Sequence, residues 1–206
     1  MVDYFALLQE PRRPWLDPDL LKSKFLTLSA EAHPDRVHGH SPDEKQSAQN
    51  RYTDLNTAYQ TLRDPKNRLA HLLELESGQK PSAIQSAPGE LMDLFLEIAG
   101  VCRQVDKWVE EKRAESSPLL QVTLFERGQA LGEKLTALQE IVKQRSEAAE
   151  KALRSLDSAW EGNRTSRKQV EASQLPLAHL EECYRTFSYL SRWSAQLQER
   201  FVQLAL

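Results

Sequence analysis

The chain has 206 residues, room for one larger domain or two small ones, and its 27 Lys+Arg against 30 Asp+Glu leave a net charge of −3. That balance excludes a general polyanion binder, which needs a clear basic excess, so no nucleic-acid partner is expected. The opening "MVDYFALLQE" has neither a basic n-region nor a long apolar core, no apolar run approaches the ~18 residues of a membrane span, and Cys102 and Cys183 stand far apart with no C-x-x-C. These features predict a cytoplasmic protein with reduced cysteines and no membrane partner.

Helix starts are strongly punctuated. Asp17-Pro18, Ser41-Pro42 and Asp64-Pro65 each set an N-cap residue before a proline at the first helical position, and Glu44 completes a capping box with Ser41. From the first start, Leu21, Phe25, Leu28 and Ala32 recur on one face; from the second, Ala48, Tyr52, Leu55, Tyr59 and Leu62 do the same. A third helix, "PKNRLAHLLELE", runs from Pro65 towards Gly78. Only residues 33–41 join the first two helices, so they must pack antiparallel as a hairpin. His33 precedes a proline, which pushes it out of the α region and ends its helix there.

Residues 77–89, "SGQKPSAIQSAPG", have the composition of a linker. Beyond them Leu94, Ile98, Val101, Val105 and Trp108 form a stripe. A long helix from Pro118 to about Glu161 carries Leu131, Leu135, Leu138, Val142, Ala149, Ala152 and Leu156 in phase, with Gly128 and Gly132 predicting a kink near its start. The polar stretch 161–169 reads as a loop, and a last helix from Pro176 carries Leu180, Tyr184, Phe187, Leu197, Phe201 and Leu204. No alternating strand pattern occurs. The predicted class is all-α, with an N-terminal helical hairpin and its flanking helices (1–76), a linker (77–89) and a C-terminal three-helix bundle (90–206).

The hairpin tip, "AHPDRVHGH", gathers His33, Asp35, His38 and His40. A metal site is not indicated, since residues 38 and 40 cannot share a helix face and no cysteine or i, i+4 histidine pair accompanies them. Catalysis is not indicated either. Pro34 stiffens the backbone and is expected to hold His33 and Asp35 apart, and no nucleophile motif, glycine-rich phosphate loop or paired carboxylates go with them. The third reading is recognition of another protein. A rigid turn projecting an imidazole and a carboxylate is a compact polar plug, able to exchange hydrogen bonds and to pair with an arginine.

His33-Pro34-Asp35 between two amphipathic helices, followed by "LNTAYQTLRDPKNRLAHLL" (Leu55–Leu73), resembles a J domain. Asn56, Ala58-Tyr59, Leu62, Asp64-Pro65 and Arg68 match that family's second half, and "DYFALL" (Asp3–Leu8) is similar to its short first helix. Arg68 with "AHLLEL", and a helical domain after a short linker, resemble more narrowly the HscB-type co-chaperones of iron–sulfur cluster assembly.

The resemblance implies a non-enzymatic protein without cofactor that stimulates ATP hydrolysis by a DnaK/HscA-type chaperone. Carried over, its effector residues are His33, Pro34 and Asp35, assisted by Lys22, Lys24 and Arg36. Glu31 and Ala32 stand where many J domains have a basic residue and a tyrosine, which predicts reduced electrostatic steering. The resemblance further implies an IscU-type scaffold held on an apolar patch of the C-terminal bundle, at Leu91, Met92, Phe95 and Tyr189. At 100° per residue Met92 and Phe95 lie roughly 160° and 100° from the Leu94–Ile98 stripe, and Tyr189 about 200° from Phe187 with Trp193 beside it. Apolar residues so far off a seam are either a second core contact or a binding patch. Ala99 and Arg103 occupy positions that are acidic in the family, with Glu97 one position out of register, so a different client, or dimerisation through the bundle, is the alternative. Eukaryotic relatives often add a C-x-x-C knuckle and a transit peptide; neither is seen here, and a bacterial protein is expected.

Overall fold

The computed structural model describes residues 2–33, 35, 41–81, 84, 87–115, 117–165 and 176–205. Seven α-helices and no strand occur among them: α1 (Tyr4–Leu7), α2 (Pro18–Glu31), α3 (Pro42–Arg63), α4 (Pro65–Ser77), α5 (Met92–Ala114), α6 (Pro118–Thr165) and α7 (Leu177–Ala205). Among the described residues no helix is long and apolar enough to cross a membrane. Cys102 and Cys183 are both unpaired and half-buried, and burial pushes both thiols up. The all-α class is as predicted.

The helix starts form where the sequence puts them. The Asp17 carboxylate accepts from the backbone N–H groups of Asp19 and Leu20, and Asp64 accepts from Asn67. Ser41 and Glu44 bond reciprocally as a capping box. These caps satisfy donors that a helix start otherwise leaves to water. Gly78 ends α4 in the left-handed region at φ 75°, where a Cβ would be strained.

The chain forms two compact units, one of residues 1–82 with 152–184 and the other of residues 83–151 with 185–206. Residues 152–184 therefore group with the N-terminal helices, whereas the sequence placed all of 90–206 in one bundle.

In the first unit α3 packs against α1, α2 and α4. Phe5, Leu8, Leu21, Leu55, Leu62, Leu69 and Leu72 are all at most 1% exposed. The α2–α3 hairpin is antiparallel, since Phe25 stacks on Tyr59 at 4.2 Å while His33, just past the end of α2, meets Tyr52, earlier on α3. Arg68 is buried and donates from Nε to the Pro14 carbonyl (2.8 Å) and from Nη1 to the Leu62 carbonyl (2.7 Å). One charged side chain thus ties the 8–17 connection to the end of α3, with charge-assisted bonds offsetting its desolvation.

In the second unit the α5 stripe is buried as predicted, against Leu124, Leu131, Leu135, Leu138 and Val142 of α6 and Tyr189, Leu190, Trp193 and Leu197 of α7. Two expectations about α6 are corrected. It runs unbroken past Gly128 and Gly132, and it continues helical to Thr165, where 161–169 was read as loop; residues 166–169 lie outside the described residues. Gly128 has a packing reason rather than a bending one. A Cβ there would stand 2.8 Å from Cζ2 of Trp108, whose indole N–H donates to the Leu124 carbonyl at 2.7 Å.

Candidate functional site

Helix α2 closes at Glu31, with the Ala32 N–H donating to the Leu28 carbonyl at 3.0 Å, and the chain then turns out through His33. His33 is half-exposed, and the Asp35 side chain is 89% exposed. Contrary to the expectation that Pro34 holds them apart, the two residues fold onto each other. The Asp35 N–H donates to Nδ1 of His33 at 3.3 Å, and its carboxylate Oδ2 lies 3.5 Å from the same nitrogen. Nδ1 is thus the ring nitrogen that Asp35 engages, which leaves Nε2 as the one available to a partner. Tyr52 meets the His33 ring edge-on at 5.5 Å. Sequence periodicity placed Tyr52 on the apolar face of α3 without revealing that contact.

Pro34 and Arg36, together with His38 and His40, lie outside the described residues. Lys22 is exposed on α2. Lys24 is engaged within the chain, donating to the Gln9 carbonyl at 3.0 Å and pairing with Glu10 at 2.8 Å. Gln9 is the one described non-glycine residue at positive φ (54°), so Lys24 braces a strained turn after α1.

Behind the hairpin, α1 is capped by Asp3, whose carboxylate accepts from Phe5 and Ala6 N–H groups and from Arg12 at 2.8 Å. Burial alone would raise the Asp3 carboxyl; the hydrogen bond and charge of Arg12, with the two backbone donors, leave it below its ordinary value. Nε2 of His71 accepts the Tyr4 N–H at 3.1 Å beneath the Phe5 ring. Burial holds the His71 imidazole below its usual range, the nearby charges of Asp3 and Glu74 only partly offsetting it.

The predicted scaffold residues divide. Met92 and Phe95 are 40% and 39% exposed, and Leu96, which the sequence reading passed over, is 59% exposed. Leu96 lies 200° from Leu94 at 100° per residue, so the test applied to its neighbours would have found it. Leu91, Tyr189 and Trp193 are buried in the core of this unit, which corrects the outward face expected for Tyr189 and Trp193. The error came from taking the phase of α7 from Phe187, which does not belong to that core cluster. Trp193 instead backs the patch from beneath, its ring 6.4 Å from Phe95 and 5.4 Å from Tyr189. Beside Phe95 a cavity of about 120 Å³ is lined by Ile98, Cys102, Trp193 and Arg200.

Residues 3–71 match the DnaJ domain family. Over 75 residues the chain is 37% identical to the co-chaperone protein HscB of Proteus mirabilis, a stretch covering 36% of this chain and 43% of that one. Over 73 residues it is 40% identical to the HscB homologue of Chromobacterium violaceum, covering 35% and 42%. The match thus spans less than half the length of these curated relatives. Among solved structures the chain resembles the chaperone HscB from Vibrio cholerae, with a TM-score of 0.53 and 22% identity over 98% of this chain and 99% of that one. It also resembles human co-chaperone protein HscB, with a TM-score of 0.58 and 21% identity over 97% and 82%. Over residues 3–71 the chain is thus similar to the DnaJ domain family, and its all-α fold is like that of the HscB chaperones.

Proposed function

We propose that the chain is an HscB-type co-chaperone that stimulates ATP hydrolysis by a DnaK/HscA-type chaperone and brings it an IscU-type iron–sulfur scaffold. The observation that carries this reading is the His33–Asp35 tip, an exposed imidazole and carboxylate folded together at the end of a capped antiparallel hairpin within the stretch that matches the DnaJ domain family. His33, Pro34 and Asp35 dock on the ATPase, with Arg36 and Lys22 beside them. Lys24 acts at one remove by bracing the turn at Gln9. The exposed Met92, Phe95 and Leu96 hold the scaffold, while Leu91, Tyr189 and Trp193 support that surface from inside. The chain makes no covalent bond in this scheme, and the bacterial sources of its curated relatives support a bacterial cytoplasmic setting.

The test is the partner's ATPase rate with wild type and with His33→Gln, each with and without apo-scaffold. Stimulation by wild type that is lost in His33→Gln is expected; equal stimulation by both would disprove the docking mechanism. Scaffold that neither binds nor raises the stimulated rate would favour a different client. That second reading draws on Ala99 and Arg103, at positions that are acidic in the resembled family.

A further inference from the structure

The second unit carries a groove that the surface formed by Met92, Phe95 and Leu96 does not use. It lies between the C-terminal part of α5, the first turns of α6 and the last turns of α7, and holds about 620 Å³. That volume falls within the roughly 300–1,000 Å³ of small-molecule sites. From Gln121 to Gly132 the groove follows α6 for about 16 Å at 1.5 Å per residue. At the same rise Met92 stands about 30 Å from Lys112 along α5. The body of the groove is apolar. Trp108 and Leu124, both buried, form its floor, while Phe125 of α6 and Phe201 of α7, both exposed, stand at its sides. At Gly132 the α6 backbone itself lines the groove, and a Cβ there would meet nothing within 4 Å.

The chemistry of the lining names the occupant. Lys112 is the one charged side chain among the described residues that line the groove. A lysine in the last turn of a helix ordinarily faces solvent and complements the dipole. This ammonium instead lies over the Trp108 ring, 5.1 Å from its centroid. The neighbouring Glu111 carboxylate is engaged by Arg127 at 2.6 Å and by Lys107 at 3.8 Å. The Trp108 N–H is committed to the Leu124 carbonyl, so the indole offers the groove carbon and no donor. Gln121, one turn into α6, adds an amide that can donate. A cation and an amide at one end of an apolar trough complement a molecule with one anionic end and a hydrocarbon body. We propose that the groove binds an amphipathic carboxylate of the fatty-acid class. Its carboxylate sits on Lys112 and Gln121, and its chain lies over Trp108 towards Gly132, Phe201 and Leu204. The site is independent of the His33–Asp35 tip and of the scaffold surface.

The experiment titrates dodecanoate, decanoate and dodecyltrimethylammonium, each below its micelle-forming concentration, into the full chain and its Lys112→Gln, Lys112→Glu and Gly132→Leu variants, read by calorimetry. Thermal melts of each variant establish that it is folded. Wild type is expected to take dodecanoate at a single site, about tenfold more tightly than decanoate, because two further methylenes leave water. Lys112→Gln should weaken dodecanoate about tenfold, the size of one hydrogen bond to a charged group. Lys112→Glu should reverse the preference and take the ammonium amphiphile instead. Gly132→Leu sets a side chain in the groove and should weaken both carboxylates at least tenfold. Equal binding of dodecanoate and the ammonium amphiphile by wild type, or an unchanged dodecanoate affinity in Lys112→Gln and Gly132→Leu, would overturn the inference. A wild type that takes up no dodecanoate would overturn it too, and a sedimenting dimer that Phe125→Ser dissociates would then assign the groove to a second copy of the chain.

Discussion

Arg13 and Asp157, 144 positions apart in the chain, form a bidentate ion pair within the first compact unit. The Asp157 carboxylate is 4% exposed and also accepts the Trp15 N–H at 3.3 Å, while one turn further along α6 the Trp160 indole donates to the Arg12 carbonyl at 2.9 Å. Arg154 lies over the Trp15 ring at 4.8 Å. The connection between α1 and α2 is thus held by α6 on one side and by Arg68 on the other. The hydrogen bond that Arg13 donates to Asp157 raises the Arg13 guanidinium above its already high ordinary value, burial opposing it.

Removing one partner should cost far more than removing both. Arg13→Met leaves a carboxylate buried with only a backbone donor, and we expect a loss of about 3 kcal/mol. Arg13→Met combined with Asp157→Leu should recover most of it, since an apolar pair of similar volume carries no desolvation cost. Urea unfolding of the two variants and of Asp157→Leu alone completes the cycle. A single variant within 0.5 kcal/mol of wild type, roughly the usual effect of a surface change, would show that the pair contributes nothing.

His71 makes a pH prediction whose sign follows from its environment. Its folded-state value lies below the ordinary 6.5, because burial disfavours the cation and Nε2 is committed as acceptor to the Tyr4 N–H. Stability from this site is therefore fully present above 6.5 and is lost as pH falls through the folded value. Asp3 has the same sign but acts below its ordinary 3.8, outside the window. Thermal melts between pH 8 and 5 should show a decline in wild type that is smaller in His71→Gln, whose amide oxygen can still accept. Parallel profiles for the two proteins would exclude His71 as the cause.

Gly128 and Gly132 occupy the same face of α6 one turn apart, yet should respond oppositely to alanine. In open helix Ala gains about 0.5–1 kcal/mol over Gly, and a Cβ at 132 meets nothing within 4 Å. At 128 it meets Trp108 ring atoms at 2.8 and 3.2 Å, so the indole must shift and strain its bond to Leu124, at a cost of about 1–3 kcal/mol. Gly132→Ala should raise the melting temperature and Gly128→Ala lower it; a rise in both would mean that Trp108 yields freely.

What the sequence made legible was whatever is local. Proline-marked caps and the α2–α3 hairpin need only neighbours in the chain to specify them, and they form, whereas the contact of His33 with Asp35 ran against the reading of Pro34 as a spacer. The phase of α6 was legible as far as Val142. Beyond it the buried positions shift to Leu153, Asp157 and Trp160, while Ala152, counted as core, is exposed. An apolar-periodicity reading passes over a buried aspartate, because only its distant arginine makes burial tolerable. Tyr189 and Trp193 failed for a related reason. An amphipathic helix with two apolar faces gives two consistent phases, and which one meets the core is decided by tertiary partners.

The division of the apolar patch into an exposed rim and a buried support leads to the last prediction. Met92, Phe95 and Leu96 project from α5, so truncating all three should leave the fold nearly intact while removing the partner's contact area. Trp193 is 2% exposed, and Trp193→Ala should cost about 3–5 kcal/mol by opening a cavity beneath Phe95. Titration calorimetry with apo IscU-type scaffold, paired with thermal melts, separates the roles. The Met92→Ala/Phe95→Ala/Leu96→Ala triple should lose at least tenfold in affinity with a melting temperature near wild type. Trp193→Ala should lose affinity only in proportion to the stability it loses. Undiminished scaffold affinity in a folded triple variant would remove these residues from the interface and direct the search to other surfaces of the second unit.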